Sequence, residues 1–245
     1  MNKKIIWSVV VAAIIIFGFF VFKDKITMFE SEKTNPEKIL NSSFPNEHIE
    51  KSIVNYFLDQ KQFSWKTEVG SHRFCTIENL DPENELFPFY IWIYCGEYAM
   101  ENGELKLLSG SSGPVKINYP NELSFYYYMN KFSHEKPGDG SRYSEDVKRI
   151  FPKHLQHKIL TFDANAIAQK NKQFSLAEIT IWESIKDAIR NCEVKKVFQS
   201  HDRTVQVKLK NGKEIVGTEP QIDDVMTLIS SAKTYCNNDI MIAIE

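Results

Sequence analysis

Apolar residues run without a charge from Ile5 to Phe22, interrupted by Ser8 and Gly18 alone. A helix of that length extends about 27 Å at 1.5 Å per residue, close to the roughly 30 Å hydrocarbon core of a bilayer. The run is apolar on every face, which does not suit a half-buried soluble helix. A cleaved signal wants a shorter core and small residues before the cut, and Phe19-Phe20-Val21-Phe22 offers none. A lipoprotein signal wants a Cys directly after the run, yet the first is Cys75. The pattern predicts an uncleaved single-pass anchor, with the lipid bilayer as the partner of residues 5–22. Lys3 and Lys4 precede the run, and Lys23 and Lys25 follow it. The free amino group and the compensating Asp24 tip the balance to a cytoplasmic N-terminus. Residues 26–245 are then extracytoplasmic.

Residues 26–45 are polar, with Pro36 and Pro45, and read as a linker. Ile49, Ile53, Tyr56 and Phe57 recur at helical spacing after a potential Asn46 cap, predicting a helix over 47–60. A β-rich stretch follows: Arg73–Glu78, then the long run from Phe89 to Met100, Glu104–Leu108, Val115–Tyr119 and Ser124–Phe132. Asn102-Gly103 is a hairpin signal. Ser144 is a candidate cap for a short helix stopped by Pro152. Residues 46–152 thus predict a first α+β domain, one helix against an antiparallel sheet. Residues 153–174 read as a connector. Ser175-Leu-Ala-Glu178 has the capping-box pattern, and Ile179, Trp182, Ile185 and Ile189 follow on one face. Strands at 194–200, 204–210 and 214–218, a helix opened by Glu219-Pro220 and a last strand at 239–244 complete a second α+β domain over 175–245. The predicted fold class is α+β: an N-terminal transmembrane helix and two small domains, each with helices on a mainly antiparallel sheet.

Lys and Arg number 30 against 32 Asp and Glu, a formal charge of -2. That removes the simplest case for nucleic acid, which wants a strongly basic domain. The four cysteines, Cys75, Cys95, Cys192 and Cys236, are even in number and all follow the apolar run. This suits an oxidising compartment. Of the three connectivities, Cys75–Cys95 with Cys192–Cys236 keeps each pair inside one predicted domain; four buried thiols are the alternative. A Cys192–Cys236 bond would clamp two helix ends onto one sheet. No CxxC or other short ligand spacing points to zinc.

Motifs that carry chemistry are sparse. Ser109-Gly-Ser-Ser-Gly-Pro114 is not GxSxG, and no strand-to-helix turn follows, so it reads as a loop between strands. His154 and His157 could share a helix face, but Lys153 and Lys158 flank them, as on a solvated basic face. His72 near Cys75 is a poor pair for nucleophilic catalysis, because neighbours on one strand rarely supply that geometry. Glu78, Asp81, Glu83, Glu85, Glu97 and Asp139 offer carboxylates for glycosidase-type pairs, with solvated loop acids as the plainer reading. Asp81–Glu85 lacks the twelve-residue calcium pattern. No glycine-rich βα fingerprint calls for a cofactor.

Aromatic residues supply the one candidate binding face. Tyr90, Trp92 and Tyr94 alternate with Phe89, Ile91 and Ile93. If the Phe-Ile-Ile face meets the helix, Tyr90, Trp92 and Tyr94 are left to stack on sugars or on a partner. The alternative is that both faces are covered.

The 175–245 segment resembles the small extracytoplasmic domain of membrane-bound AAA+ zinc proteases. The similar features are a helix, the strand around Val194-Lys-Lys-Val197, the Lys210-Asn-Gly212 turn, a strand ending in Thr218-Glu-Pro220, a helix and a final strand. The resemblance implies a fold and a role in contacting a membrane partner. There is no GxxxxGK[ST] loop and no HExxH helix, so neither ATPase nor protease activity carries over. The 46–152 segment looks like an exported domain found in bacterial membrane proteins and lipoproteins. Trp92, Cys95, Glu97-Tyr98, Ser109–Pro114, Pro137, Asp139-Gly140-Ser141 and Phe151-Pro152 carry that likeness, and it implies no activity.

Two functional expectations follow. One is a membrane-tethered, non-enzymatic module that binds a membrane or envelope protein, or an envelope polymer. The other is an exported envelope hydrolase using carboxylates of the first domain, which requires a deep pocket and acids with raised pKa values.

Overall fold

In the computed structural model, residues 43–244 are described apart from 68–69, 121–126 and 237–239. The predicted span over residues 5–22 and nearly all of the linker lie outside the described residues. Among the described residues, no helix is long and apolar enough to cross a membrane.

Helix α1 (Glu47–Leu58) starts where Asn46 Oδ1 accepts from the Ile49 N–H at 2.9 Å, satisfying one free donor of the first turn. Ile49, Ile53, Tyr56 and Phe57 form its buried stripe. Strands β1 (His72–Asn79), β2 (Phe89–Glu101), β3 (Glu104–Asn118) and β4 (Ser133–Glu135) make an antiparallel sheet in the order β1-β2-β3-β4. Asn102 and Gly103 both take positive φ, 52° and 83°, as the tight β2–β3 turn requires.

Two sequence expectations change here. Ser109–Pro114 is not a loop: it lies inside β3, paired residue for residue with Trp92–Glu97. A small residue suits Gly110, where a Cβ would lie 3.0 Å from the Tyr94 hydroxyl; Trp92 Nε1 donates to Ser112 Oγ at 2.8 Å. The described part of the predicted 124–132 strand is a single 3-10 turn at Met129–Lys131, and the strand there is β4.

Alternation along β2 sorts its side chains onto two faces. Phe89, Ile91, Ile93 and Cys95 join Ile77, Val115 and Ile117 beneath α1. The opposite face is also covered. Helices α2 (Tyr143–Ile150) and α3 (Lys153–Leu160) place Val147, Ile150, Phe151, Leu155 and Ile159 against Leu80 and Trp92.

Helix α4 (Ala164–Arg190) is 27 residues long, about 40 Å at 1.5 Å per residue. Its cap is Asp163, whose Oδ1 accepts from the Asn165 and Ala166 N–H groups. The predicted start at Ser175 is therefore corrected. Ser175 is fully buried in mid-helix and its hydroxyl donates to the Asn171 carbonyl at 2.7 Å. The predicted connector is largely helix.

The buried residues of α4 include Ile167, Asn171, Ser175, Glu178, Trp182, Ile185 and Ile189, one continuous stripe at helical spacing. Ile167 packs with the first sheet, and Trp182, Ile185 and Ile189 with the second. The second sheet comprises β5 (Val194–Gln199), β6 (Thr204–Leu209), β7 (Glu214–Thr218) and β8 (Met241–Ile244), in the order β7-β6-β5-β8. Only β8 runs parallel to its neighbour, β5. Helix α5 (Asp224–Ala232) covers the same face as α4 through Val225, Ile229 and Ala232. Both sheets belong to one compact unit.

Gly217 on β7 lets α4 approach closely: a Cβ there would meet Ile181 Cγ2 at 2.5 Å. Gly217→Ala should destabilise the fold by about 1–3 kcal/mol in denaturant titration. Combining it with Ile181→Ala should cost less than the sum of the two single changes. Additive losses would show that this contact does not set the approach of helix to sheet.

Candidate functional site

The aromatic trio does not form an open face. Trp92 is only 7% exposed and stacks on Phe162, ring centroids 4.2 Å apart and planes 11° from parallel. Tyr90 packs on Phe151, and Tyr94 is half-buried in the same cluster. The candidate binding face at Tyr90, Trp92 and Tyr94 is covered, as in the alternative that both faces are packed, because α2, α3 and the start of α4 use it as their packing surface.

The four cysteines form two disulfides, Cys75–Cys95 and Cys192–Cys236. Cys75 and Cys95 face each other across β1 and β2. Cys192 and Cys236 join the end of α4 to the end of α5. Bonding removes Cys75 as a nucleophile, and His72 instead stacks on Phe74. Burial pushes the His72 pKa down, and Lys186 adds to this. His154 Nε2 lies 3.2 Å from Asp81 Oδ2, across from the loop after β1. Among the described residues, no group of three or more His, Cys, Asp or Glu side chains could hold a metal.

Glu97 is the one acid of the candidate set that strand geometry draws inside. It is 2% exposed, where a solvated loop position was expected. Thr67 N and Ser71 Oγ donate to Oε1, each at 2.6 Å. Thr67 Oγ1 and Ser109 Oγ donate to Oε2, at 2.8 and 2.9 Å. Burial alone raises a carboxyl pKa, but here the hydrogen bonds from Ser71, Thr67 and Ser109 outweigh it and bring Glu97 down to about 2. The depression beside it, lined by Phe63, Ser64, Trp65, Cys95, Glu97 and Ser109 among others, has no room for a water-sized guest. Ionised at neutral pH and filled with donors, the carboxylate fastens Thr67 and Ser71 to β2 and β3. It is a poor general acid.

A second group of buried polar side chains lies where the sheets meet. Asn171, with no exposed surface, accepts from the Tyr98 hydroxyl at 2.7 Å and donates to Phe74 O and Thr76 Oγ1 at 3.1 and 3.0 Å. Tyr98 lies over Gly96, where a Cβ would come within 2.6 Å of the ring. Glu178 Oε2 accepts from Thr218 N at 3.0 Å. Glu219, also fully buried, accepts from Asp223 N, Val225 N and Gln199 Nε2, and so caps α5 from five residues upstream. Burial pushes the Glu178 and Glu219 pKa values up. Arg203 Nη2 donates to Asn55 Oδ1 on α1 at 2.7 Å, a second tie between the sheets. An acid within the otherwise buried run Cys95–Tyr98, and Asn171 and Glu178 on a helical stripe, were the available signals for these groups.

Compared with family models, curated proteins and solved structures, the chain matches none.

The acids should move stability with pH in opposite directions. Glu97 holds its proton more weakly folded than unfolded, so its contribution is complete above the ordinary value of 4.5 and is lost as pH falls toward about 2. Glu97→Gln should cost about 2–3 kcal/mol at neutral pH, and the cost should shrink across that window in denaturant titrations. Glu178 binds its proton more tightly folded, so its ionisation subtracts stability as pH rises above 4.5. Glu178→Gln should therefore gain on the wild type with rising pH. A difference that stays flat with pH would contradict the corresponding assignment.

Proposed function

We propose that this chain is a membrane-anchored, extracytoplasmic interaction module, held by residues 5–22 and presenting residues 43–244 to a protein partner or envelope polymer. The observation that carries the reading is the cysteine pattern. All four follow the apolar run, and all four are paired in two disulfides, each within one sheet and its helices. Such bonds form and persist where the surroundings oxidise. Closing a segment with a sequence separation of 44 stabilises a fold by roughly 2–4 kcal/mol through the chain entropy of the unfolded state.

The hydrolase reading needs an acid with a raised pKa paired with a second carboxylate in the first domain. Glu50 and Glu97 are the buried carboxylates there, and Glu97 is held low and saturated with donors. The acids with raised values, Glu178 and Glu219, are spent on backbone N–H groups at β7 and α5. The binding reading accounts for these groups as supports of a rigid scaffold. The resemblances at 46–152 and 175–245 agree with it at the level of address and fold.

Cell fractionation should recover the intact chain in membranes, with the folded part open to protease added from outside. Non-reducing peptide mapping should link Cys75 to Cys95 and Cys192 to Cys236. Recovery from the cytosol with four alkylatable thiols would overturn the assignment.

A further inference from the structure

We infer that the outer face of the second sheet, at the end where β5 begins and β6 finishes, is a docking surface for anionic lipid headgroups. The inference rests on the proposed anchor for its choice of a bilayer as occupant. The strand register supplies the first argument. Lys196 on β5 lies directly opposite Lys208 on β6, and both are exposed. Like charges in that position repel and weaken a sheet. Lys208 has Glu214 on its other side, 3.3 Å away. The neighbour of Lys196 on its other side is Met241, which offers no charge.

The surroundings extend the positive field. The register shift between Val194 and Lys196 loops out Lys195, which is exposed. Lys210 and Lys213 lie exposed in the β6–β7 turn. Among the described residues, Glu193 and Glu214 are the acids at this end, beside exposed Lys195, Lys196, Lys208 and Lys213. Anions therefore complete this face.

The apolar residues beside the lysines favour a lipid surface over a soluble anion. On the same outward pleat, Met241 is 53% and Val216 50% exposed, with half-buried Phe198 between their strands. Lysine stems lie along such side chains while the ammonium groups reach phosphates. Tether length adds the third argument. About twenty residues separate the predicted span from the first described residue, a reach of at most about 70 Å. That holds the face at a high effective concentration relative to its own bilayer.

The test uses the full chain in nanodiscs of phosphatidylcholine, or of phosphatidylcholine mixed with phosphatidylglycerol. Lysine acylation is read by mass spectrometry. In the anionic discs, modification of Lys196 and Lys208 should fall about five-fold, recover at high salt, and leave exposed Lys153 on α3 unchanged. Changing Lys196→Gln and Lys208→Gln together should abolish the lipid dependence at Lys195 and Lys213. Equal rates in both discs overturn the lipid assignment while leaving the anchor in place. Equal rates that drop only when membrane proteins are added assign the face to an acidic protein and overturn it too. A chain that stays in the aqueous fraction refutes the anchor; flotation with phosphatidylglycerol vesicles then decides the face, and failure to float overturns it.

Discussion

Polar side chains on one buried stripe tie the long helix to both sheets. Asn171, Ser175 and Glu178 occupy the stretch of α4 that passes from one sheet to the other. An unpaired polar group in such a position costs about 1–3 kcal/mol. Each therefore needs a partner: Ser175 finds the Asn171 carbonyl of its own helix, while the other two reach different sheets, Asn171 to Tyr98, Phe74 and Thr76 and Glu178 to Thr218. A purely apolar stripe would adhere to both sheets and fix neither register. The hydrogen bonds select one rotation and one axial position for the helix, so the sheets share a single beam. Arg203 reaching Asn55 adds a tie away from that helix.

This arrangement decides what is left for binding. Sheet one is sandwiched between α1 on one side and α2, α3 and α4 on the other, so its aromatic strand is consumed by packing. Sheet two is covered on one side by α4 and α5. Its outer side keeps exposed lysines, Val216 and Met241. Glu97, Glu178 and Glu219 are likewise committed to a loop, a strand end and a helix cap.

Much of this was legible in the chain. Period-two alternation located β1, β2, β5, β6 and β7, and the Asn102-Gly103 turn was plain because only a positive-φ pair closes so short a hairpin. The order of elements after Cys192 also followed from pattern. The failures have a common cause. Asn171, Ser175 and Glu178 resemble solvent-facing or capping residues, so the stripe looked broken at 175 when it was continuous. Ser109–Pro114 resembles a loop because small polar residues dominate it, yet it pairs along β2 and Tyr94 leaves little room for a side chain at Gly110. Glu97 resembles a surface acid until Thr67, Ser71 and Ser109 are brought to it by folding. In each case tertiary partners, distant in sequence, override a sound local preference. The closed aromatic face belongs to the same class: nothing local announces that three helices return to cover Trp92.

Native-state hydrogen exchange along α4 tests the shared beam most directly. The account predicts one level of protection from Ile167 to Ile189, with the amides around Ser175 opening only as the whole fold opens. A step in protection between Phe174 and Glu178, with one half exchanging by a separate local opening, would show two helices meeting at a joint and would contradict it.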